Sequence, residues 1–185
     1  MTETGPQVFE TRGVNHVALI CSDMAATVDF YEGVLGFPLF KTVEMPGGGQ
    51  HFFFDVGNGA SLAFMWFKDA PPAAPGVASQ DPKGYMSAIG SMNHIALDVD
   101  ADKIDEYHQK LKDLGLKTHL INHDDSDIGA SLEVHEGTWI RSLYFWDPDG
   151  IRLELAAYTR TFSAEDVRHA PVDAEGNVRD LAPTT

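Results

Sequence analysis

The sequence predicts an α+β fold made of two βαβββ modules, whose strands form a curved mixed sheet around a cleft. The first observation is an internal repeat, since Asn-His-Val-Ala-Leu at residues 15–19 returns as Asn-His-Ile-Ala-Leu at residues 93–97. The second is that each copy precedes a helix-type segment and then two strand-type segments joined by a turn rich in Gly, Asn or Asp. The third is a length of 185 residues with 43% hydrophobic positions, enough for one core and a single domain.

The first module is predicted to span about residues 13–67. Asp23 is placed to cap a helix, and the glycine at position 36 marks its end. Residues 57–59, Gly-Asn-Gly, are typical of a hairpin turn. The predicted elements are a strand over 15–19, a helix over 24–34, a strand over 39–44, and hairpin strands over 50–54 and 61–67.

The second module is predicted over about residues 91–158 and repeats this order. Its elements are a strand over 93–97, a helix over 101–114 capped by Asp100, a strand over 117–122, and strands over 141–146 and 151–158 joined by the turn 147–150. Residues 68–90 hold four prolines and three glycines, which predicts an irregular linker or lid. Residues 159–185 are predicted to form a polar tail without a role in the chemistry.

The composition excludes several classes of partner. Thirteen Lys and Arg stand against 28 Asp and Glu, a net charge of −15, which repels nucleic acids and anionic membrane surfaces. Cys21 is the only cysteine, so an internal disulfide and a Cys-rich zinc site are both impossible. The sequence has neither the pattern of a signal peptide nor an apolar run long enough to span a membrane. We therefore expect a cytoplasmic protein without nucleic-acid or membrane partners.

Alternation along the predicted strands places four chemically active side chains on one side of the sheet. Alternate residues of a strand share a face, so His16, His94, Tyr144 and Glu154 each lie opposite apolar neighbours. A lone strand histidine is more often structural than a ligand. The repeat equivalence of two histidines, with a carboxylate flanked by leucines, favours metal binding. Two imidazoles and one carboxylate hold Fe(II) with open positions, so we predict that His16, His94 and Glu154 converge on one metal in the cleft.

The paired modules, the duplicated strand and the segment 143–154 (LYFWDPDGIRLE) resemble the vicinal oxygen chelate superfamily. That superfamily includes glyoxalase I, epimerases, fosfomycin and bleomycin resistance proteins, and type I extradiol dioxygenases. The order His135, Tyr144, turn 147–150 and Glu154 is similar to that of the small extradiol enzymes. The resemblance implies that His16, His94 and Glu154 are iron ligands, and that His135 and Tyr144 contact the substrate or an oxygen-derived intermediate.

Two departures from the family patterns bear on the reaction. Ala63 aligns with Glu154, so the fourth ligand of glyoxalase-like members is absent, which favours a three-ligand open site. The acid/base histidine that extradiol enzymes carry before the second ligand histidine is also absent, leaving Tyr85 or His51 as substitutes or a different reaction. His119 and His123 are expected at surface positions.

We therefore expect an Fe(II)-dependent extradiol dioxygenase that cleaves a catechol-like aromatic with O2. The alternatives are a glyoxalase- or epimerase-like isomerase or lyase that uses Mn(II), Zn(II) or Ni(II), and a non-catalytic protein that binds a small molecule. Members of the superfamily often dimerise, so a homodimer is expected by resemblance. The side chains expected to line the cleft are Phe52, Phe54, Phe64, Trp66 and Trp146.

Overall fold

A computed structural model describes residues 13–45, 48–72, 89–90 and 92–163, together with a few positions of the tail. The α+β fold and the repeated module are confirmed. The described strands form two open sheets rather than one continuous sheet, with orders β1-β4-β3-β2 and β5-β9-β8-β6-β7. The first sheet contains β1 (His16–Ile20), β2 (Leu39–Met45), β3 (Gly49–Gly57) and β4 (Ala60–Trp66). The second contains β5 (Ile95–Asp98), β6 (His119–Asp124), β7 (Ala130–Ser131), β8 (Thr138–Trp146) and β9 (Arg152–Tyr158).

The helices begin close to the predicted residues. Helix α1 (Met24–Val28) continues into a π-helical turn (Asp29–Val34), and the carboxylate of Asp23 accepts from the Ala26 N–H at 3.0 Å. Helix α2 (Ile104–Asp113) follows a 3-10 turn (Ala101–Lys103). The prediction that Asp100 caps this helix with its side chain is wrong, because the tighter turn uses only its backbone carbonyl, which accepts from the Lys103 N–H at 3.0 Å.

Both sheets pack their apolar faces on one shared core, which lies within the compact unit Thr11–Thr159. Its buried members are Cys21, Met24, Phe30, Tyr31, Phe54, Leu62, Phe64, Leu111, Leu143, Phe145, Ile151 and Leu153. Truncating one of the fully buried aromatic residues to alanine costs about 3–5 kcal/mol. The Tyr31 hydroxyl donates to Asp147 at 3.0 Å, which joins the first module to the second. The core therefore lies between the two sheets.

The predicted alternation of faces is confirmed, but the predicted cleft lining is wrong: none of its five aromatic side chains, Trp146 included, lines a cleft on the free face of either sheet. Phe54 and Phe64 are fully buried in the core, and Phe52 and Trp66 pack against it. The reason is the register of β3 and β4, which pairs Phe52 with Phe64 and Phe54 with Leu62 on the helix side. Phe53 takes the opposite face, near His16, with ring centroids 6.1 Å apart.

Residues 73–88, which form most of the predicted linker, lie outside the described residues, as does Tyr85. In the described part of the chain, every helix is too short or too polar to traverse a lipid bilayer.

Candidate metal centre

The second sheet brings a histidine and a glutamate into direct contact. His94 lies just before β5, and the parallel pairing of β5 with β9 sets Ala96 beside Glu154. The Nε2 atom of His94 is 2.9 Å from the Oε2 atom of Glu154, whose side chain is 4% exposed. Burial acts to raise the pKa of Glu154, but the hydrogen bond with His94 and the neighbouring Ser142 outweigh it and lower the pKa. Glu154 is therefore an anion at neutral pH.

The preceding asparagine orients the histidine in the same way in both modules. Nδ1 of His94 lies 2.8 Å from Oδ1 of Asn93, and Nδ1 of His16 lies 2.8 Å from Oδ1 of Asn15. An amide oxygen only accepts, so Nδ1 of each ring donates this hydrogen bond and Nε2 is left for a second partner. Metal-binding histidines are commonly oriented by such a second hydrogen bond. At 2.9 Å, Nε2 of His94 and Oε2 of Glu154 need a proton or a cation between them.

Tyr144 lies beside this pair. It is directly opposite Glu154 in the ladder of β8 and β9, and its ring meets that of His94 edge to face at 5.6 Å. Burial and the negative charge of Glu154 raise the pKa of Tyr144 above its usual value. Its hydroxyl is therefore a neutral hydrogen-bond donor at physiological pH.

These side chains open onto a cleft of about 450 Å³ on the free face of the second sheet. Its lining is His94, Ala96, Asp98, His123, Trp139, Ile140, Ser142, Tyr144, Glu154, Ala156 and Tyr158. His123, expected in a surface role, is half-buried and lines this cleft, where β6 pairs it with Ile140 and its ring lies 6.0 Å from Trp139. The place of His123 in the cleft was not predictable, because the sequence alone does not show that β6 pairs with β8.

His16 lines a different cleft, of about 470 Å³, on the free face of the first sheet. The rest of its lining is Asn15, Phe40, Lys41, Phe53, Asp55, Gly59, Ala60 and Ser61. The register pairs Ala18 with Ala63 where the second module pairs Ala96 with Glu154, which confirms the alignment of Ala63 with Glu154. The position equivalent to the carboxylate ligand therefore holds a methyl group.

The structure brings together His94, Glu154 and Tyr144 but does not bring His16 to them within one chain. Among the described residues there is no group of three or more His, Cys, Asp or Glu side chains placed to hold one metal ion. The prediction of convergence inside a single chain is corrected for a physical reason: each histidine lies on the free face of its own sheet, and the shared core separates the two faces.

His135 lies elsewhere, in the loop before β8. Its Nε2 atom is 2.9 Å from Oδ2 of Asp124, and its Nδ1 atom accepts from the Gly137 N–H at 3.1 Å. Hydrogen bonds from Ser126 and His135 lower the pKa of Asp124 to about 2. Both ring nitrogens of His135 thus have partners within the chain. His51, the other candidate base, lies on β3 with its ring 4.3 Å from that of Phe53.

Comparison with known proteins identifies the family. The model of the Glyoxalase/Bleomycin resistance protein/Dioxygenase superfamily matches residues 13–155. The chain belongs to this superfamily, which confirms the vicinal oxygen chelate resemblance. A metallothiol transferase FosB from Bacillus licheniformis is 29% identical over 143 residues, 77% of this chain and 73% of the relative. Glyoxylase I 4 from Arabidopsis thaliana is 24% identical, over 84% of this chain and 76% of the relative.

Solved structures agree on the fold. A glyoxalase family protein from Enterococcus faecalis superimposes with a TM-score of 0.56 at 25% identity, covering 78% of this chain and 97% of that one. The fosfomycin resistance protein FosX from Listeria monocytogenes, complexed with Mn(II) and sulfate, gives a TM-score of 0.50 at 22% identity, covering 80% and 94%. At such identities the likeness establishes the architecture alone.

Proposed function

We propose that this chain is the subunit of a divalent-metal-dependent enzyme that acts on a small molecule by group transfer, isomerisation or elimination. The observation that carries the proposal is the His94–Glu154 pair, oriented by Asn93 and facing a cleft of about 450 Å³. The names of the relatives, a metallothiol transferase and a glyoxylase, support such chemistry and make thiol transfer the first reaction to test. They favour the predicted alternative over ring cleavage of a catechol.

The residues present fit a divalent ion. An imidazole nitrogen and a carboxylate oxygen suit Mn(II), Zn(II), Ni(II) and Fe(II), and their 2.9 Å separation is that of neighbouring ligands on one ion. Asn93 supplies the outer hydrogen bond that fixes the ring. Bound there, the ion would act as a Lewis acid that polarises an oxygen of the substrate.

We assign the third ligand to His16 of a second copy, because two protein ligands are fewer than a catalytic site usually has. His16 repeats the asparagine-held geometry of His94 and lies on the free face of its sheet. A two-fold dimer in which the first sheet of each copy meets the second sheet of the other would form two equal centres. The predicted ligand set and the predicted homodimer are thus one proposal.

The other residues of the cleft have separable roles. Tyr144 donates from its neutral hydroxyl to the substrate oxygen that acquires negative charge. Trp139, Ile140 and Tyr158 offer apolar walls for the non-reacting part of the substrate. The substrate-binding role assigned to His135 stays a prediction.

The test is to purify the chain without metal, reconstitute it separately with Mn(II), Zn(II), Ni(II) and Fe(II), and assay three reactions. These are thiol addition to an electrophilic acceptor, isomerisation of a carbonyl–thiol adduct, and oxygen uptake with a panel of catechols. We expect turnover in one of the first two without oxygen uptake. Oxygen consumed in step with a catechol, with Fe(II) alone, would replace the proposal with the ring-cleaving reaction.

A further inference from the structure

A second imidazole lies in the cleft of the second sheet, apart from the His94–Glu154 pair. His123 is half-buried on β6 and lines that cleft of about 450 Å³. Within the described part of the chain, no hydrogen bond or ion pair joins it to His94 or Glu154, and these three do not form a group placed to hold one ion. A chemical role for His123 must therefore differ from that of a metal ligand.

The floor of the cleft between His123 and Glu154 is made of small side chains. Ser142 pairs with Ala156 on β8 and β9, and this pair follows that of Glu154 along the free face. His123 lies opposite Ile140, one pair further along β8. Successive pairs on one face are roughly 6–7 Å apart, so two such steps separate the rows of His123 and Glu154 by roughly 13 Å along the strands. The small side chains leave this space open to a small molecule.

The two groups affect each other through charge across this space. Burial raises the pKa of Glu154, and the groups that lower it are His94, Ser142 and, more weakly, His123. His123 and Glu154 therefore face the same cleft from different strands. A substrate bound at the His94–Glu154 pair would extend towards His123.

The ring of His123 is oriented with one nitrogen held and the other free. Nδ1 lies 3.3 Å from the carbonyl oxygen of Gly129, and because a carbonyl only accepts, Nδ1 donates this hydrogen bond. The Asp124 N–H donates to the same oxygen at 3.3 Å. Among the described residues Nε2 has no hydrogen-bond partner, and it is accessible to solvent, unlike Nε2 of His119. His123 therefore presents an available lone pair.

Local irregularities of the backbone produce this orientation. The ladder of β6 and β8 shifts register between His123 and Asp124, and such bulges redirect side chains beside active sites. Gly129 has a φ of +73°, a conformation that favours glycine. Its N–H donates to the carbonyl oxygen of Ser126 at 2.8 Å, which closes the turn and returns the Gly129 carbonyl to His123. The loop after β6 thus sets the position of the ring.

The reactions proposed for this cleft require a group that removes a proton from the substrate. His94 and Glu154 contact each other, and Tyr144, whose pKa burial raises, is a donor. Asp98 is exposed to solvent at the end of β5. Histidine is the side chain that most often exchanges protons near neutral pH. Of the cleft residues, His123 therefore suits this task best.

We propose that His123 is the general base of the cleft and takes the proton of the reacting S–H, C–H or O–H group of the substrate. This role rests on the proposed function. In the addition of a thiol to an epoxide, Nε2 takes the S–H proton while the S–C bond forms and the C–O bond breaks. The ring then releases its proton to solvent, and the oxygen takes one from solvent. The step needs neither an oxidant nor a reductant.

The experiment compares the metal-loaded wild type with His123→Asn in the reaction that the reconstitution assays select. Asparagine keeps an amide donor for the Gly129 carbonyl but lacks a basic nitrogen. We expect kcat to fall by roughly 10²–10⁴-fold and to lose the limb that rises with pH, while Mn(II) affinity stays within about twofold and Tm within a few degrees. His108→Gln is the matched control, because that half-buried imidazole bonds to Thr118 away from the cleft; it should leave kcat unchanged.

Two further measurements separate a base from a packing residue. Free imidazole should restore activity to His123→Ala in proportion to its concentration, and the wild type with imidazole controls for binding of imidazole to the metal. In thiol addition, 4-nitrothiophenol is already a thiolate at neutral pH, whereas 2-mercaptoethanol is a thiol. The defect of His123→Asn should therefore shrink to less than about tenfold with 4-nitrothiophenol, since no proton remains to be removed.

Three results would overturn the proposal. Weakened Mn(II) binding in His123→Asn would make His123 a ligand, and a lower Tm with unchanged kcat would assign it to packing. A loss of kcat in Asp98→Asn alone would give the role to that carboxylate. If oxygen-dependent cleavage of a catechol replaces the proposed function, the same variants are measured in that reaction, whose substrate hydroxyl must also lose a proton. The proposed function and the role of His123 can therefore fail separately.

Discussion

The two modules share a strand, a motif and a hydrogen bond, yet only the second sets a carboxylate beside its histidine. Asn15 orients His16 as Asn93 orients His94, with the same 2.8 Å separation. The registers are also equivalent, but the second module has Glu154 where the first has Ala63. In the proposed metal site, the first module supplies an imidazole, and the second supplies an imidazole and the anion that would give the site its affinity.

The modules differ also in how their free faces are used. The cleft of the second sheet is walled by aromatic side chains, whereas that of the first contains both Lys41 and Asp55. Since the shared core lies between the two faces, neither half can complete the other within a chain. In the proposed enzyme, the function of the repeat therefore depends on the assembly of two chains.

Removing the anion tests the asymmetry most strongly. Glu154→Ala should abolish turnover and weaken Mn(II) binding by more than about 100-fold, because the remaining ligands are neutral. Asp98→Asn is the control, since Asp98 lines the same cleft; it should keep Mn(II) affinity within about twofold. Calorimetric metal titrations of both variants measure the difference. Tight binding by Glu154→Ala would move the metal site elsewhere.

Complementation tests whether the two halves meet across chains. His16→Ala and Glu154→Ala should each be inactive. In a heterodimer of the two, one centre lacks both residues and the other has its full ligand set. Mixed under conditions that allow subunit exchange, they should regain about a quarter of the wild-type activity, because about half of the dimers are mixed and each has one intact centre. A mixture that stays inactive while mass spectrometry shows heterodimers would contradict a shared site.

Tyr144 tests whether the second cleft is catalytic. Tyr144→Phe removes only a hydroxyl, so it should lower kcat by roughly 10²–10³-fold and keep metal affinity. Tyr158→Phe, in the same cleft but 61% exposed, should leave kcat within about threefold. Steady-state kinetics with the substrate found above, beside metal titrations, give both numbers. An unchanged kcat in Tyr144→Phe would assign that ring to packing.

His135 tests the limit of the family resemblance. Because its two nitrogens are bonded to Asp124 and Gly137, we expect His135→Gln to lower Tm by a few degrees and to change kcat little. Asp124→Ala, which removes the acceptor of the same bond, should lower Tm similarly. Thermal melts and kcat for both variants decide the matter. A loss of kcat in His135→Gln alone, with its pH profile shifted, would establish the predicted contact with substrate.

Asp147, which joins the modules through Tyr31, is expected to affect stability and not catalysis. Burial raises its pKa to about 6, from an ordinary value of 3.8. The folded state therefore holds the proton more tightly, so the stability contributed by this group is complete below pH 3.8 and is lost as the pH rises through about 6. The loss is on the order of 2–3 kcal/mol.

Asp147→Asn should remove this dependence, because its side-chain oxygen still accepts from the Ile151 N–H while the ionisable group is gone. Urea unfolding at several pH values from 4 to 7 measures it. Asp124, with a pKa of about 2, has the opposite pH dependence. Its contribution to the free energy of unfolding is lost as the pH falls below about 3.8. If the free energy of unfolding changed equally with pH in Asp147→Asn and in the wild type, Asp147 would not be the group that titrates.

The repeat, the strand faces and the Asp23 cap were predictable because each follows from local periodicity or spacing. The inward face of Phe54 and Phe64 was not, since a run of aromatic residues offers two equally apolar faces and only the pairing of β3 with β4 decides between them. The separation of His16 from His94 was not predictable either. It depends on which side of the sheets the helices occupy, a long-range property that the repeat leaves open.

The surroundings of Arg152 and His119 show the same limit. Alternation along β9 places Arg152 on the face of Glu154, as the sequence predicts. The pairing of β6 with β8, which sets His119 opposite Tyr144 and beside Trp146, was not predictable. His119, expected at the surface, therefore has a buried ring nitrogen.

The shared core also determines how metal and protein concentration affect each other. In the proposed dimer every subunit reaches both centres, with Tyr31, Phe54 and Phe145 holding its two half-sites a fixed distance apart. Each bound ion then ties two chains together, so occupying the first centre raises the effective concentration of ligands at the second. By mass action, dilution should weaken metal binding and metal should oppose dissociation of the dimer. Trace metal would then set the concentration below which the subunits separate.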